Sequence, residues 1–341
     1  MAGRDGLGGG GEVMEVHMEK TQDVHPLIYH YTKWESLRGI LENNTLWATN
    51  VRYLNDTTEY HLVADLLIER LLPLAESKVN EISQNNASLR KYIDQNGGVE
   101  YQANKMAHDT IRAMYQVTGD DFYVVSFCGT PKDAYEEQNG LLSQWRGYGN
   151  ETGFCLVFDT KKLLDLLSLE VKQFYYGPSH LSEVVYSHEF DRFDKEMGKD
   201  IRVLIDYMGE MLTSIVNNTK PPLGSDAMVS FHQLTTRFKH RAYFEEHEVR
   251  IVAAPTVKKT ELDHLRKAAI GSPKNAKSIR YRQWRDLSAP YIEFFGKDFP
   301  ALPIKKIIVG PGRNNETAME LLGRLALGRD IAIEKSDMPF V

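Results

Sequence analysis

The apolar residues of this chain gather in short β-rich runs, irregularly separated by long helical stretches. That spacing narrows the fold more than any motif does. LIYHYT near the start, TLWATNVRYL (45–54), DFYVVSFCGT (121–130) and GFCLVFDT (153–160) read as strands. So do the pair VKQFYYG and SEVVYS, EEHEVRIVAA (245–254), IKKIIVGPG (304–312) and DIAIEKS. Residues near 60–118 and 190–240 read as helical excursions between them. Strands scattered among helices, several at hairpin-like spacing, indicate an α+β fold rather than regular βαβ alternation. No GxGxxG fingerprint sits at a strand-to-helix turn and no GxxxxGK[ST] loop occurs, which argues against a Rossmann dehydrogenase or a P-loop NTPase.

Residues 1–22 open with MAGRDGLGGGGE, a run whose ordering entropy no burial repays; they read as a disordered leader or an expression remnant. Residues 23–341 read as a single domain. In it LIYHYT runs into a helix with Leu37, Ile40 and Leu41 on one stripe, and Thr32 with Glu35 matches a capping box. Asp56 and Glu59 match a second one.

Net charge of -6 excludes bulk attraction to nucleic acid or an anionic membrane while leaving room for a local basic patch. The two cysteines, Cys128 and Cys155, lie in apolar runs and read as buried reduced thiols. There is no disulfide framework, no Cys/His zinc spacing, no stretch near the ~20 apolar residues of a membrane span, and no secretory signal. A cytoplasmic protein without membrane or metal is the expectation.

EEHEVRIV is the most chemical-looking stretch. On a strand, Glu246, Glu248 and Arg250 would share one face, and His247, Val249, Ile251 and Ala253 the other. Two same-face carboxylates about 7 Å apart can have their pKa values pushed apart, with Arg250 lowering the nearer one. Such a pair suits cleavage of a glycosidic bond. A strand with one solvated face has the same pattern. His30, where a strand meets a helix N-terminus, is suited to a ribose hydroxyl beside a pyrophosphate, or to plain packing. Trp145, Arg146 and Tyr148 in SQWRGYG can clamp a planar ring or tie down a loop.

Residues 264–285 carry Arg266, Lys267, Lys274, Lys277, Arg280, Arg282 and Arg285 with no acidic residue among them, and Tyr281 and Trp284 are interleaved. Cations neutralise phosphates and aromatic faces stack unpaired bases, so this stretch is the local case for a nucleic-acid partner. The alternative is a solvated loop and helix balancing an acidic neighbour.

Taken in order, HYTKWESLRGILENNTLW, RYLNDTTEY, VVSFCGT, LSQWRGYG with GFCLVFD, VVYS, EEHEVRIV, IKKIIVGP and IEKSDMPF resemble the markers of domain-of-unknown-function family 2971, over nearly all of residues 27–341. The opening His-Tyr-Thr and the late Glu-x-Glu resemble the ADP-ribosyltransferase superfamily. That resemblance implies a split, mostly antiparallel sheet that grips NAD, here with helical insertions. It implies Glu248 as the catalytic carboxylate with Glu246 assisting the acceptor. It also implies NAD contacts from His30, Tyr31, Thr32 and Arg250, with Tyr53, Trp145 or Tyr148 packing on nicotinamide. The expected activity is NAD-consuming transfer of ADP-ribose to a macromolecule, RNA or DNA before protein, without a metal, as in a bacterial toxin or anti-phage effector. An antitoxin or regulatory protein would be its partner. The competing readings are a non-catalytic module that binds a nucleotide or phage component and, more weakly, a metal-dependent nuclease.

Overall fold

The computed structural model describes residues 21–54, 57–118, 122–148, 152–222, 224–257, 262–263, 267, 274–284 and 286–339. Of residues 57–63, 117, 118, 148, 178, 225 and 284 it describes only the backbone. The elements begin β1 (Leu27–Thr32), α1 (Trp34–Asn43), β2 (Thr45–Asn50), α2 (Thr57–Asn85), α3 (Ala87–Gln95), α4 (Gly98–Thr118) and β3 (Tyr123–Cys128). Next come α5 (Ala134–Asn139), α6 (Leu142–Tyr148), β4 (Phe154–Asp159), α7 (Thr160–Gln173), β5 (Tyr176–Glu183), β6 (Val185–Tyr186), α8 (Phe190–Asn217), α9 (Ser225–Arg237) and β7 (Phe238–Lys239). The chain ends with β8 (Glu248–Pro255), β9 (Arg280–Trp284), β10 (Leu287–Phe295), β11 (Ile304–Val309), α10 (Asn315–Leu325) and β12 (Ala332–Lys335). Two compact units result, one of Met1–Asn50, Tyr123–Val184 and Phe244–Val341, the other of Val51–Phe122 and Val185–Tyr243.

The first unit is built on one mostly antiparallel sheet in the order β12-β11-β4-β1-β3-β2-β10-β9, and only β11 and β12 run parallel within it. Strand β8 pairs with all six residues of β3 and carries β5 on its far side. A strand has two hydrogen-bonding edges. Because β8 fills one along its whole length, β1 (at Cys128) and β2 (at Tyr123 and Val124) must share the other. The two diverge there, and the sheet splits along β3.

Strand alternation sorts the side chains into two layers. One face carries Ile28, Val125, Phe127, Phe158, Ile251, Ile292 and Ile307, covered by Leu37 and Leu41 of α1 and by Leu163, Leu164 and Leu167 of α7. Each such side chain contributes roughly 1.5–3 kcal/mol by leaving water. The other face carries Tyr29, Tyr31, Cys128, Cys155, Val157 and Ile308, packed with Leu141 and Trp145. Asn44 ends α1 in the left-handed region (φ 58°), which asparagine tolerates. Its side chain donates to the Gly296 and Pro300 carbonyls and accepts from the Leu302 amide.

The two helical excursions form the second unit. It has its own apolar core, with Leu67 and Leu71 of α2, Ile111 of α4, Leu204 and Met208 of α8, and Phe231 of α9. The short strands β6 and β7 pair in parallel. No helix among the described residues is long and apolar enough to cross a membrane.

Several local expectations are corrected. Thr32 is the last residue of β1, paired with Phe154, and the cap position passes to Lys33 without a side-chain bond; the ladder claims the residue that a capping box needs. VKQ continues α7, because Leu163, Leu167 and Glu170 extend a buried helical stripe, and a single strand then runs from Tyr176 to Glu183. The polar stretch after β3 contains helices α5 and α6. Within the basic stretch Arg280–Trp284 is strand β9, paired antiparallel with β10, rather than part of a loop and helix. Thr21 is buried and residues 21–24 are helical, so order begins before residue 23, while 1–20 lie outside the described residues. Asp56 lies outside them too, and so does the second capping box.

Candidate functional site

At the start of β8 the strand is shorter than the alternation implied. Arg241–Glu246 forms a 3-10 helix, and His247 follows in the left-handed region at φ 41°. Its carbonyl accepts from the Gly129 amide at 2.8 Å. A reversed φ breaks the period-2 pattern, so Glu246 does not share the strand face of Glu248. The face holding Glu248 and Arg250 is real. Arg250 Nε donates to Glu248 Oε1 at 2.7 Å and Nη2 to Oε2 at 2.9 Å, and both side chains are about 4 % exposed. A two-bond guanidinium–carboxylate pair in a dry setting occupies both oxygens. The pair ties down the start of β8.

His30 lies across the sheet from that pair. Tyr29 is opposite Cys128, and Cys128 is opposite Glu248, so these three share a face. His30, one residue on, points to the other, with its ring 5.5 Å from Phe127. Its Nδ1 lies 3.0 Å from the Ser126 carbonyl and donates to it, filling the edge of β3 where the strands part. Burial lowers the imidazole pKa below its ordinary value, partly opposed by that carbonyl.

Tyr31 is on the Glu248 face, where its phenol oxygen accepts from the Leu141 amide at 2.7 Å and its ring meets Trp145 edge-on at 4.9 Å. Burial raises its pKa well above the usual tyrosine range. Thr32 is buried on the His30 face. Trp145 is sealed. Its indole N–H donates to the Asn139 carbonyl, and Gly140 and Gly310 press on it so closely that a Cβ would come within 2.8 and 2.6 Å. Asn139 also accepts from Ser336 Oγ and from the Asp337 amide, fastening the C-terminal segment there. No room remains on that indole for nicotinamide. Tyr53 is half-buried in a 3-10 turn of the second unit, and the Tyr148 side chain lies outside the description. Within the first unit, His30 and Thr32 thus lie on one face of the sheet, and Tyr31 and Arg250 on the other. No group of three or more His, Cys, Asp or Glu able to hold a metal occurs among the described residues.

The basic stretch divides. Lys277 is buried: its Nζ meets Glu170 Oε1 and sits 4.0 Å over the Phe174 ring. Burial lowers its pKa, opposed by Glu170. Glu170 also accepts from Tyr176 Oη (2.7 Å) and the Phe295 amide (3.0 Å), which makes it the anchor of this corner. Lys274 donates to the Val171 carbonyl. Arg280 and Arg282 project from β9 on one face, Tyr281 from the other, where it is 67 % exposed. Arg280 Nη2 lies 3.3 Å from Glu293 and stays largely exposed. Arg282 Nη2 donates to Thr49 Oγ1, and no carboxylate pairs with it among the described residues. The Trp284 side chain, Arg266 and Arg285 lie outside the described set.

Register adds a residue that the sequence reading passed over. Trp47 is opposite Glu293, Thr49 opposite Tyr291, and Tyr291 opposite Arg280, so Trp47, Tyr291, Arg280 and Arg282 share one face. Trp47 belongs to a plain strand run some 235 residues before the arginines (282 − 47), and only the register brings them together.

Residues 144–251 match the family model described as "Protein of unknown function (DUF2971)". That segment includes Trp145, β4, β5 and the Glu248–Arg250 pair, and leaves out His30 and the β9–β10 hairpin. No curated protein and no solved structure matches the chain.

Proposed function

We propose that this chain is a nucleic-acid-binding module whose contact surface is the β2–β10–β9 corner of the sheet. The carrying observation is that Arg280 and Arg282 leave an edge strand on one face, with Arg280 largely exposed and Arg282 without a carboxylate partner among the described residues. Cations so placed neutralise backbone phosphates locally although the whole chain is acidic. Labelled oligonucleotides titrated at several salt concentrations test this. Binding is expected to weaken with salt. Arg280→Glu with Arg282→Glu together is expected to cost at least about tenfold in affinity and to flatten the salt dependence by about 0.7 for each phosphate no longer neutralised. Absence of binding at low salt would overturn it.

ADP-ribosyl transfer is the second reading. It is favoured by Glu248 being the first residue of β8, beside the strand along which the sheet splits. Incubation with labelled NAD and cellular RNA, DNA or protein tests it. Label transfer or nicotinamide release that is lost in Glu246→Gln or Glu248→Gln supports a transferase, and neither occurring removes it.

A further inference from the structure

We infer that Trp47 is a stacking subsite for one unpaired base of single-stranded RNA, an inference that rests on the nucleic-acid reading above and gives it a partner class. Tryptophan is highly buried on average, yet Trp47 is 45 % exposed in the middle of a paired strand. Its ring lies 4.5 Å from Tyr291 at 31°, and Tyr291 is itself only 7 % exposed. The indole is thus backed by a fixed ring while nearly half of it meets solvent. Its cross-strand partner is Glu293, which also aligns Arg280.

Strands about 4.8 Å apart and a rise of about 3.3 Å per residue put the Arg280 backbone roughly 12 Å and the Arg282 backbone roughly 16 Å from that of Trp47, a spacing that long side chains bridge to successive phosphates beside a stacked base. In a duplex both faces of an internal base are already stacked, so this platform discriminates for unpaired ones. Splayed single-stranded bases are the usual state of RNA loops, which favours RNA over DNA as the source.

The test uses the full chain with fluorescent single-stranded RNA of about 12 nucleotides, the same DNA sequence, and the RNA duplex, read by anisotropy. Wild type is expected to prefer the single strand. Trp47→Ala is expected to lose on the order of tenfold to a hundredfold in single-strand affinity, Trp47→Phe to retain most of it, and duplex binding to change little in either. Thermal melts confirm that the variants fold. If wild type binds RNA but Trp47→Ala binds equally well, or weakens on duplex and single strand alike, the subsite is refuted while the nucleic-acid reading stands. Preference for the DNA strand refutes RNA as the source. No binding of any probe at low salt refutes both.

Discussion

Single side chains in this protein carry more architecture than their chemistry suggests. The Glu248–Arg250 pair is an example: both ions are dry and joined by two hydrogen bonds. Arg250→Met removes the guanidinium that both Glu248 oxygens meet and is expected to cost about 3–5 kcal/mol in urea unfolding. Trp145 is another. A methyl at position 310 would meet its ring at 2.6 Å, against backbone that cannot retreat because the Gly310 amide is bonded to Gly153. Gly310→Ala is therefore expected to destabilise by roughly 1–3 kcal/mol, seen as a lower Tm. Both motifs were visible in the sequence as chemistry-bearing residues. A tying role for Trp145 was one of the two readings open there; the glycines that enclose it were not legible, because Gly140 and Gly310 follow separate elements and reveal their purpose only against the indole between them.

Among the elements, the β9–β10 hairpin is the one most dependent on a remote group. Glu170 of α7 receives Lys277, Tyr176 and the Phe295 amide, and so ties both ends of the hairpin region to the helix. Glu170→Gln leaves Lys277 buried without its counter-charge. Faster amide exchange across Arg280–Trp284 is expected before any global unfolding. Glu170→Gln combined with Lys277→Met, which removes both charges but keeps the stem over Phe174, is expected to restore much of the hairpin's protection and leave nucleic-acid binding unchanged. The strands with clean apolar runs were legible from period alone. β9 was not, since RYRQW on an open sheet face has the composition of a solvated charge run.

For the whole molecule, acid is the condition to which both units respond. His30 in the first and His232 in the second are held neutral by burial, His232 with its pKa lowered to about 3 while stacked on Phe122 at 3.5 Å. Both folded values lie below the ordinary 6.5. The unfolded chain therefore binds protons that the folded one refuses once pH drops under 6.5. For His232 this contribution is full above that and declines as pH falls toward 3, by up to about 1.4 kcal/mol per unit, and His30 acts in the same direction. Urea midpoints from pH 7.5 to 5 at fixed ionic strength check this, and His232→Phe should flatten the curve while keeping the ring contact.

Within each strand, the alternation of side chains was already written in the local order of residues: His30 opposes Tyr29, and Glu248 sides with Arg250, whatever the rest of the chain does. Which strands lie side by side, and in what register, was decided only by folding. The ladder Tyr29–Cys128–Glu248 joins segments more than two hundred residues apart and sets the imidazole and the carboxylate on opposite faces, just as the β2–β10–β9 register puts an indole and two arginines on one face. Backbone hydrogen bonds between strands are identical at every residue. Register is therefore chosen by which faces can be buried together across the whole sheet, and no local stretch contains that information.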